Sequence, residues 1–415
     1  MPRTTLAALP SRAPRLATLG CLSLLPLGVG GCASMTANQI EQEHVAFNTA
    51  VADAMNRQML LNIVRLWRTE STQWMQVASI NTTAEYSVGI GGAAFFRDGQ
   101  TTGDLSGRGG YSYRPTLTFN PLEGEQLARE LMSPVQVENM VNLVSAGWPV
   151  SWLLFLVVDR CEDLESFDVS EHFGVIAGDP RFGRLLEMCD DLERRQLMSL
   201  VLSQIPVTWN ATPLGPEQVT AGAISSARED NCRFILREDG AYDYMSVETA
   251  PVFVMYPGLE DDEVGKEFVS LMRLDPGPNS YRLVTVDSPI IADVTVSVQT
   301  RSMLAMLRFL SYGVADSLDE PQDRPMSPSE VFQSLTESES HDRVVKSAVR
   351  NFFRVNRSAS RPTRAAVEVL HEGSWYWIAE DDLLSKQLFS LIRDLYDLQV
   401  KSQSGGRPIL TIPVG

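Results

Sequence analysis

Four residues, Val29-Gly30-Gly31-Cys32, decide more about how this chain folds than any other stretch of it. Residues 1–15 carry Arg3, Arg12 and Arg15 and no acid, and an apolar run from Leu16 to Val29 follows, broken by Gly20 and Pro26. A basic start, a short apolar middle and small residues before a cut are the marks of a secretory signal. The run falls short of the roughly 20 apolar residues that a membrane span needs. An aliphatic residue and two small residues before a cysteine form a lipobox, whose small side chains let the backbone lie extended in a peptidase cleft. The cysteine comes next because its sulfur takes a diacylglycerol. The expectation is therefore cleavage between Gly31 and Cys32 and lipidation at Cys32, with palmitate among the acyl chains. Cys21 is the weaker candidate, since Leu22-Ser23 after it offers no mature start. No twin-arginine pair is present, which favours the Sec route. Ala33-Ser34 stands where an aspartate would hold a proteobacterial lipoprotein in the inner membrane. The expected location is thus the outer membrane, lipid-anchored and facing the periplasm. The domain organisation read from this is a signal peptide over 1–31, a mostly helical part with a Gly-rich hairpin over 32–205, and an α+β part over 206–415.

A cut before Cys32 removes three positive charges from a net −17 and leaves −20. An acidic chain without a basic stripe argues against nucleic acid and against adsorption to anionic lipid. The remaining cysteines, Cys161, Cys189 and Cys232, are odd in number, so at least one is free or pairs between chains. None has metal-ligand spacing, and His44, His172, His341 and His371 are isolated from one another. The acid run Glu260-Asp261-Asp262-Glu263 lacks the alternation, glycine and distal Glu of an EF-hand. No catalytic residue, metal or cofactor is expected.

Apolar periodicity supplies the elements. Val51, Met55, Met59, Ile63 and Leu66 predict one face of a helix over 37–68, more fitting as core than as a partner groove. Tyr86, Val88 and Ile90 alternate as in a strand over 77–96. The eight glycines between 89 and 110 fit no phosphate loop, because no Gly-Lys-Ser/Thr and no direct entry into a helix follows, and they predict a hairpin. Thr116–Phe119 reads as a short strand. Helices are expected from Glu123 to Cys161 with breaks at Ser133-Pro134 and Gly147–Pro149, and Val150–Val158 reads as a buried segment within them. A further helix is expected over 181–204 and a strand-rich stretch over 206–258. Asp293–Gln299 is a strand that turns through Thr300-Arg301-Ser302 into a helix holding Met303, Leu307 and Leu310. Residues 315–345 read as a polar excursion, and Phe352–Val355 as a strand. A hairpin over 366–378 leads to a last helix that Asp381 or Asp382 caps. Strand, turn and helix thus recur twice in the C-terminal third. The class is α+β, with mixed helices and short, mostly antiparallel strands.

Several stretches resemble a family of proteobacterial lipoproteins of about this length, one without an established activity. They are Arg57–Leu66, Pro115–Leu122, Ser145–Pro149, Thr300–Ser302, Trp375–Ile378 with Ser385-Lys386, and Leu410–Gly415. The resemblance implies export and a shared fold and carries over no active site. The end of the chain, Pro408-Ile409-Leu410-Thr411-Ile412-Pro413-Val414-Gly415, is uncharged and apolar. It is expected to dock as a short edge strand on the protein's own body. The rival is a tail offered to a partner, which makes Ile409, Leu410, Ile412 and Val414 candidate interaction residues. The functional expectation is a non-enzymatic scaffold or accessory subunit of an envelope assembly, with a protein partner there. The alternatives are a periplasmic carrier of an apolar ligand and an envelope-polymer hydrolase.

Overall fold

The computed structural model describes residues 26–97, 100–170, 174–176, 178–210, 212–275, 277–285, 295–317, 325–336 and 341–403, and along much of the first hairpin, 77–118, it describes the backbone alone. Contacts divide the chain into a unit Met1–Asn56 and a unit Arg57–Gly415. Helix α1 (Pro26–Trp67) starts before the residue 37 expected from periodicity and runs through both. In the first unit its described side chains are largely exposed: Val45 is in solvent, and Val51 is half-buried. In the second unit Met59, Leu60, Ile63 and Val64 are buried in the core.

After α1 comes a two-stranded antiparallel ribbon, β1 (Met75–Arg97) with β2 (Gln100–Pro121). The expected short strand at 116–119 is the last part of β2. A short helix α2 (Gly124–Leu127) and a π turn (Ala128–Met132) lead to α3 (Val137–Ser145) and α4 (Val150–Val157). Every residue of α4 except Trp152 is buried, so an all-apolar run this short is a core helix. Next are β3 (Val158–Cys161), β4 (Leu164–Glu165), β5 (Asp168–Ser170), β6 (Gly174–Ile176) and α5 (Pro180–Arg194). Helix α5 ends ten residues short of the expected 204. Gln196 adopts a left-handed φ of 58° and the Leu197 amide donates back to the Leu192 carbonyl, closing the helix. Leu200 then falls in β7 (Met198–Thr208), where Met198 and Leu200 are buried and Ser199 and Val201 only half so. A repeat of two had been hidden under an apparent repeat of four.

Helix α6 (Ala221–Glu229), capped by the Thr220 hydroxyl, interrupts the expected strand-rich stretch before β8 (Cys232–Leu236) and β9 (Tyr242–Met255). Asp262, from the acidic run, caps α7 (Glu263–Leu271). Then come β10 (Ser280–Thr285), β11 (Thr295–Thr300) and α8 (Met303–Ser311). One sheet has the order β4-β3-β11-β10-β9-β7 with β8 also paired to β9, and only β10 and β11 run parallel in it. It takes strands from both sides of residue 205, which itself lies inside β7, so residues 206–415 share this sheet with the segment before them.

The polar excursion over 315–345 holds α9 (Pro328–Thr336) and the start of α10 (His341–Phe352), which runs past it. Val331, Phe332, Leu335, Val349 and Phe352 are buried, so three or four apolar residues at helical spacing outweigh a polar majority. The expected strand at 352–355 is the end of α10 and a coil whose Val355 bridges Val314. A second sheet, β12 (Asn356–Ser358), β14 (Ser374–Ala379) and β13 (Ala365–His371), precedes α11 (Leu383–Gln403). Asp382 rather than Asp381 begins α11, accepting from the Ser385 amide and hydroxyl at 3.0 and 2.7 Å. The fold is α+β.

Arg301 joins these parts. Its guanidinium is buried and donates to the carbonyls of Phe155, Leu156 and Val158 at the end of α4 and to that of Phe167, while lying 3.9 Å over the Phe167 ring. Burial lowers its pKa to about 10, and it stays charged at neutral pH. Replacement by Met should lower unfolding free energy by at least about 3 kcal/mol, since several buried carbonyls would lose their donor. Lys should rescue only part of this, lacking the planar fork. Urea unfolding of both variants measures it, and a Met variant as stable as the parent would refute the role.

Candidate functional site

The ribbon is long and leaves the body through one small, densely bonded root. At about 3.3 Å per residue, strands of 23 and 22 residues extend some 70 Å. Among the described residues neither strand pairs with a third.

The root is built on α1. Gln58 and Asn62 lie one turn apart, so their amides share a face. The Gln58 side chain donates to the Met75 carbonyl at 3.1 Å and accepts from the Met75 amide at 2.9 Å. Asn62 repeats the pattern on Gln73, at 2.8 and 2.9 Å. Two side-chain amides thereby stand in for a neighbouring strand, satisfying the backbone where β1 begins. Between them Trp74, 2% exposed, stacks on Tyr396 of α11 with centroids 5.0 Å apart, and its carbonyl accepts from the Leu122 amide at the end of β2. Burial, reinforced by the nearby Glu130 charge, pushes the Tyr396 phenol up to about 12 and keeps it neutral. Glu130 sits in the π turn, 2% exposed, and accepts from Gln76 at 2.6 Å and Gln126 at 2.8 Å. A buried carboxylate held by two neutral donors is a positioning device. The sequence signal was available: two amides four residues apart beside an apolar helical stripe.

A second cluster joins the end of α1 to the β13–β14 turn. His371 Nε2 lies 3.1 Å from a Glu70 oxygen, and Arg68 pairs with Glu70 at 2.9 Å and also with Glu372. Glu372 and Gly373 both have positive φ, as a two-residue primed turn requires. One donor atom each from Glu70, His371 and Glu372 lies within 4.8 Å of the others, the spacing of a metal site. The Arg68 guanidinium already balances both carboxylates, so a divalent cation would have to displace it, and a structural ion pair is the better reading.

The acids of the α4 region are consumed in the same way. Glu193 accepts from the Val150 amide at 2.9 Å and Asp190 from the Ser151 hydroxyl, both at the start of α4. Burial raises the pKa of each. Each is thus tied to the helix start by one hydrogen bond, and both also border an open cleft beside Trp148. Cys161 and Cys189 are buried free thiols whose pKa burial raises, which makes them unreactive, and Cys232 is free and half-exposed. Three open clefts among the described residues are large enough for a small molecule, and one of about 460 Å³ is bordered by Trp148, Asp190 and Glu193. A second, of about 640 Å³, lies beside Trp67, Glu70 and Tyr312; the third, of about 680 Å³, lies along α7 beside Tyr256, Leu259, Val269 and Tyr281. Gly31 and Cys32 lie in α1, where the side chains are not described. Ile409, Leu410, Ile412 and Val414 lie outside the described residues. No family model, curated protein or solved structure matches the chain.

Asn62→Ala should destabilise the protein by about 1–3 kcal/mol, since it leaves the Gln73 amide and carbonyl without their partner. Hydrogen exchange at residues 73–76 should rise along with it. Unchanged exchange there would show that the amides do not hold the root. For the second cluster the hydrogen bond from Arg68 holds the Glu70 pKa below its usual 4.5. A depressed carboxylate stabilises the folded state above its unfolded pKa and loses that contribution as pH falls through the folded value. Wild type should therefore be more stable than Glu70→Gln at neutral pH, and thermal melts should show the gap closing as pH drops below about 4.5.

Proposed function

We propose that this chain is an exported, lipid-anchored envelope protein, a non-enzymatic structural subunit of an assembly at the outer membrane, held there by acylated Cys32. The ribbon is the observation that carries the reading. A sheet of two strands is at best marginally stable in water, and each strand here leaves a row of backbone donors and acceptors unpaired. Such an element is completed by something outside its own chain. Its root, by contrast, is anchored by reciprocal amide bonds and a stacked tryptophan, which suits a part that bears load. The engagement of Asp190, Glu193, Glu70 and Glu372 in caps and ion pairs weighs against the hydrolase.

The cleft along α7 favours a second reading, a carrier of an apolar ligand, since Leu259, Val269 and Leu274 line it. Lys266 and Arg273 in the same lining weaken it.

Palmitate labelling of cells expressing the chain tests the anchor. Label should be lost in Cys32→Ala and retained in Cys21→Ala. Label that survives Cys32→Ala would overturn the assignment. Crosslinking in intact envelopes through residues placed in the ribbon should capture neighbours, while crosslinkers placed at α7 should not. The reverse result would favour the carrier.

A further inference from the structure

The pairing register divides the ribbon into two chemically different faces. Residues directly opposite each other in an antiparallel pair share a face, and so do alternate residues along each strand. Past the irregularity at Val77/Ser79, Ile80 pairs with Leu117, Ala84 with Tyr113, Tyr86 with Tyr111, and Gly92 with Leu105. Val88, Ile90, Ala94 and Phe96 continue the same face. It holds no charged and no amide residue from Ile80 through Phe96 or from Thr101 through Leu117. The charged residues of these spans, Glu85, Asp104, Arg108 and Arg114, and Arg97 just beyond, all fall on the opposite face, with serines, threonines and glycines and with Asn81, Ala93 and Phe95. Each strand read alone keeps its charges to one parity, and the pairing register brings the two uncharged sets onto one face. Gly107 and Gly109 dilute the alternation in β2, and only the pairing aligns Leu105 and Tyr111 with Gly92 and Tyr86.

The apolar face has the length and the ends of a membrane span. The Tyr86–Tyr111 pair closes it on one side and Phe96 on the other. Ten residue steps separate Tyr86 from Phe96, about 33 Å along the strand. Spanning strands have about 9–11 residues and tilt, and their outward apolar band is about 25 Å tall between aromatic girdles. Glycine and alanine between the girdles are neutral to lipid. The uncharged face excludes water as the natural surrounding, while the charged one needs it.

We propose that the ribbon is a transmembrane β-hairpin, and that several copies of this chain pair their ribbons edge to edge into one closed barrel across the lipid bilayer. This inference rests on the envelope reading above. Closure follows from the unpaired edges, because hydrocarbon offers no partner to a backbone amide or carbonyl. A barrel of at least about eight strands means four copies or more. The face with Glu85, Asp104, Arg108 and Arg114 lines the lumen, and the apolar face meets lipid. Each copy contributes one hairpin, and its amide-bonded root fixes the hairpin to the body.

One accessible cysteine at each of four adjacent positions tests this: Val88→Cys, Gly89→Cys, Ile90→Cys and Gly91→Cys in the full chain with Cys21→Ser, Cys32→Ser and Cys232→Ser, Cys161 and Cys189 being buried. Each is labelled with an environment-sensitive dye and mixed with phosphatidylethanolamine–phosphatidylglycerol vesicles carrying nitroxide-labelled acyl chains. Quenching at 88 and 90 but not at 89 and 91 is expected, together with a detergent-stable oligomer and stepwise conductance in planar bilayers. Ile90→Asp should abolish conductance without shifting the melting temperature of the body. Ser106→Asp, on the other face, should keep conductance and alter ion selectivity. Equal quenching on both faces, or none, overturns the proposal. A dry dye at 88 and 90 without lipid quenching also overturns it and assigns the apolar face to a protein surface. A quenched ribbon in a monomer overturns barrel closure. Because Cys32 is replaced throughout, failure of the anchor would appear only in the palmitate labelling and leaves this measurement untouched.

Discussion

The fold is held together at one buried cation. A helix leaves its last carbonyls without intrahelical partners, and in α4 those carbonyls end inside the core, where water cannot reach them. Arg301 supplies the donors. It can do so because it stands between β11 and α8, at the point where the sheet passes into a helix. Its own backbone is bound on both sides: its amide donates to Val157 at 2.7 Å and its carbonyl accepts from Val135 at 3.0 Å. The adjoining Thr300 hydroxyl donates to the Val135 carbonyl at 2.6 Å. Two segments far apart in sequence, 134–167 and 300–310, are thereby locked to each other, with the aromatic stack of Phe155, Phe167 and Phe309 filling the space between.

That body is the fixed end of a lever. The root residues Trp74 and Leu122 belong to the same hydrophobic core as α4 and α8, so the ribbon starts from packed side chains. The amides of Gln58 and Asn62 then hold the first residues of the ribbon as a strand would. Beyond them the ribbon has its own cross-strand bonds and little else. The two regions differ in what stabilises them: packing and capped helices in the body, and in the ribbon a pattern that reaches its full value only in the proper surroundings.

The acidic residues follow a consistent economy. Asp179, Asp262 and Asp382 cap helices, Glu193 and Asp190 serve the start of α4, and Glu70 and Glu372 neutralise Arg68. A chain with 52 acids offers many apparent catalytic pairs, and these acids serve helix starts and ion pairs, while Glu130 accepts from two neutral amides. Burial raises the pKa of Asp190 and Glu193, which serve the start of α4 and also border the open cleft beside Trp148.

Much of the fold was legible in the chain. Short-range rules found α1, the core run of α4, the β11–α8 turn, the β13–β14 hairpin and the capped α11, because each depends on spacing within a dozen residues. Where two periods overlapped, as at Leu197 and Leu200, spacing could not tell helix from strand, and the sheet decided by pairing Leu200 with Phe253. Helices α9 and α10 were hidden by a polar majority, because burial of a few side chains depends on what they meet and not on their neighbours in sequence. The glycine-rich stretch could be read as a hairpin with alternating residues, but the register that sets one strand's uncharged positions against the other's could not. By itself, then, the sequence determined the α+β class, the turns and the caps, which are local matters of backbone and hydrogen-bonding chemistry. Only the tertiary structure decided that Arg301 closes α4, that Gln58 and Asn62 root the ribbon, and that the uncharged positions of its two strands share one face, because each of these joins residues that chain order keeps apart.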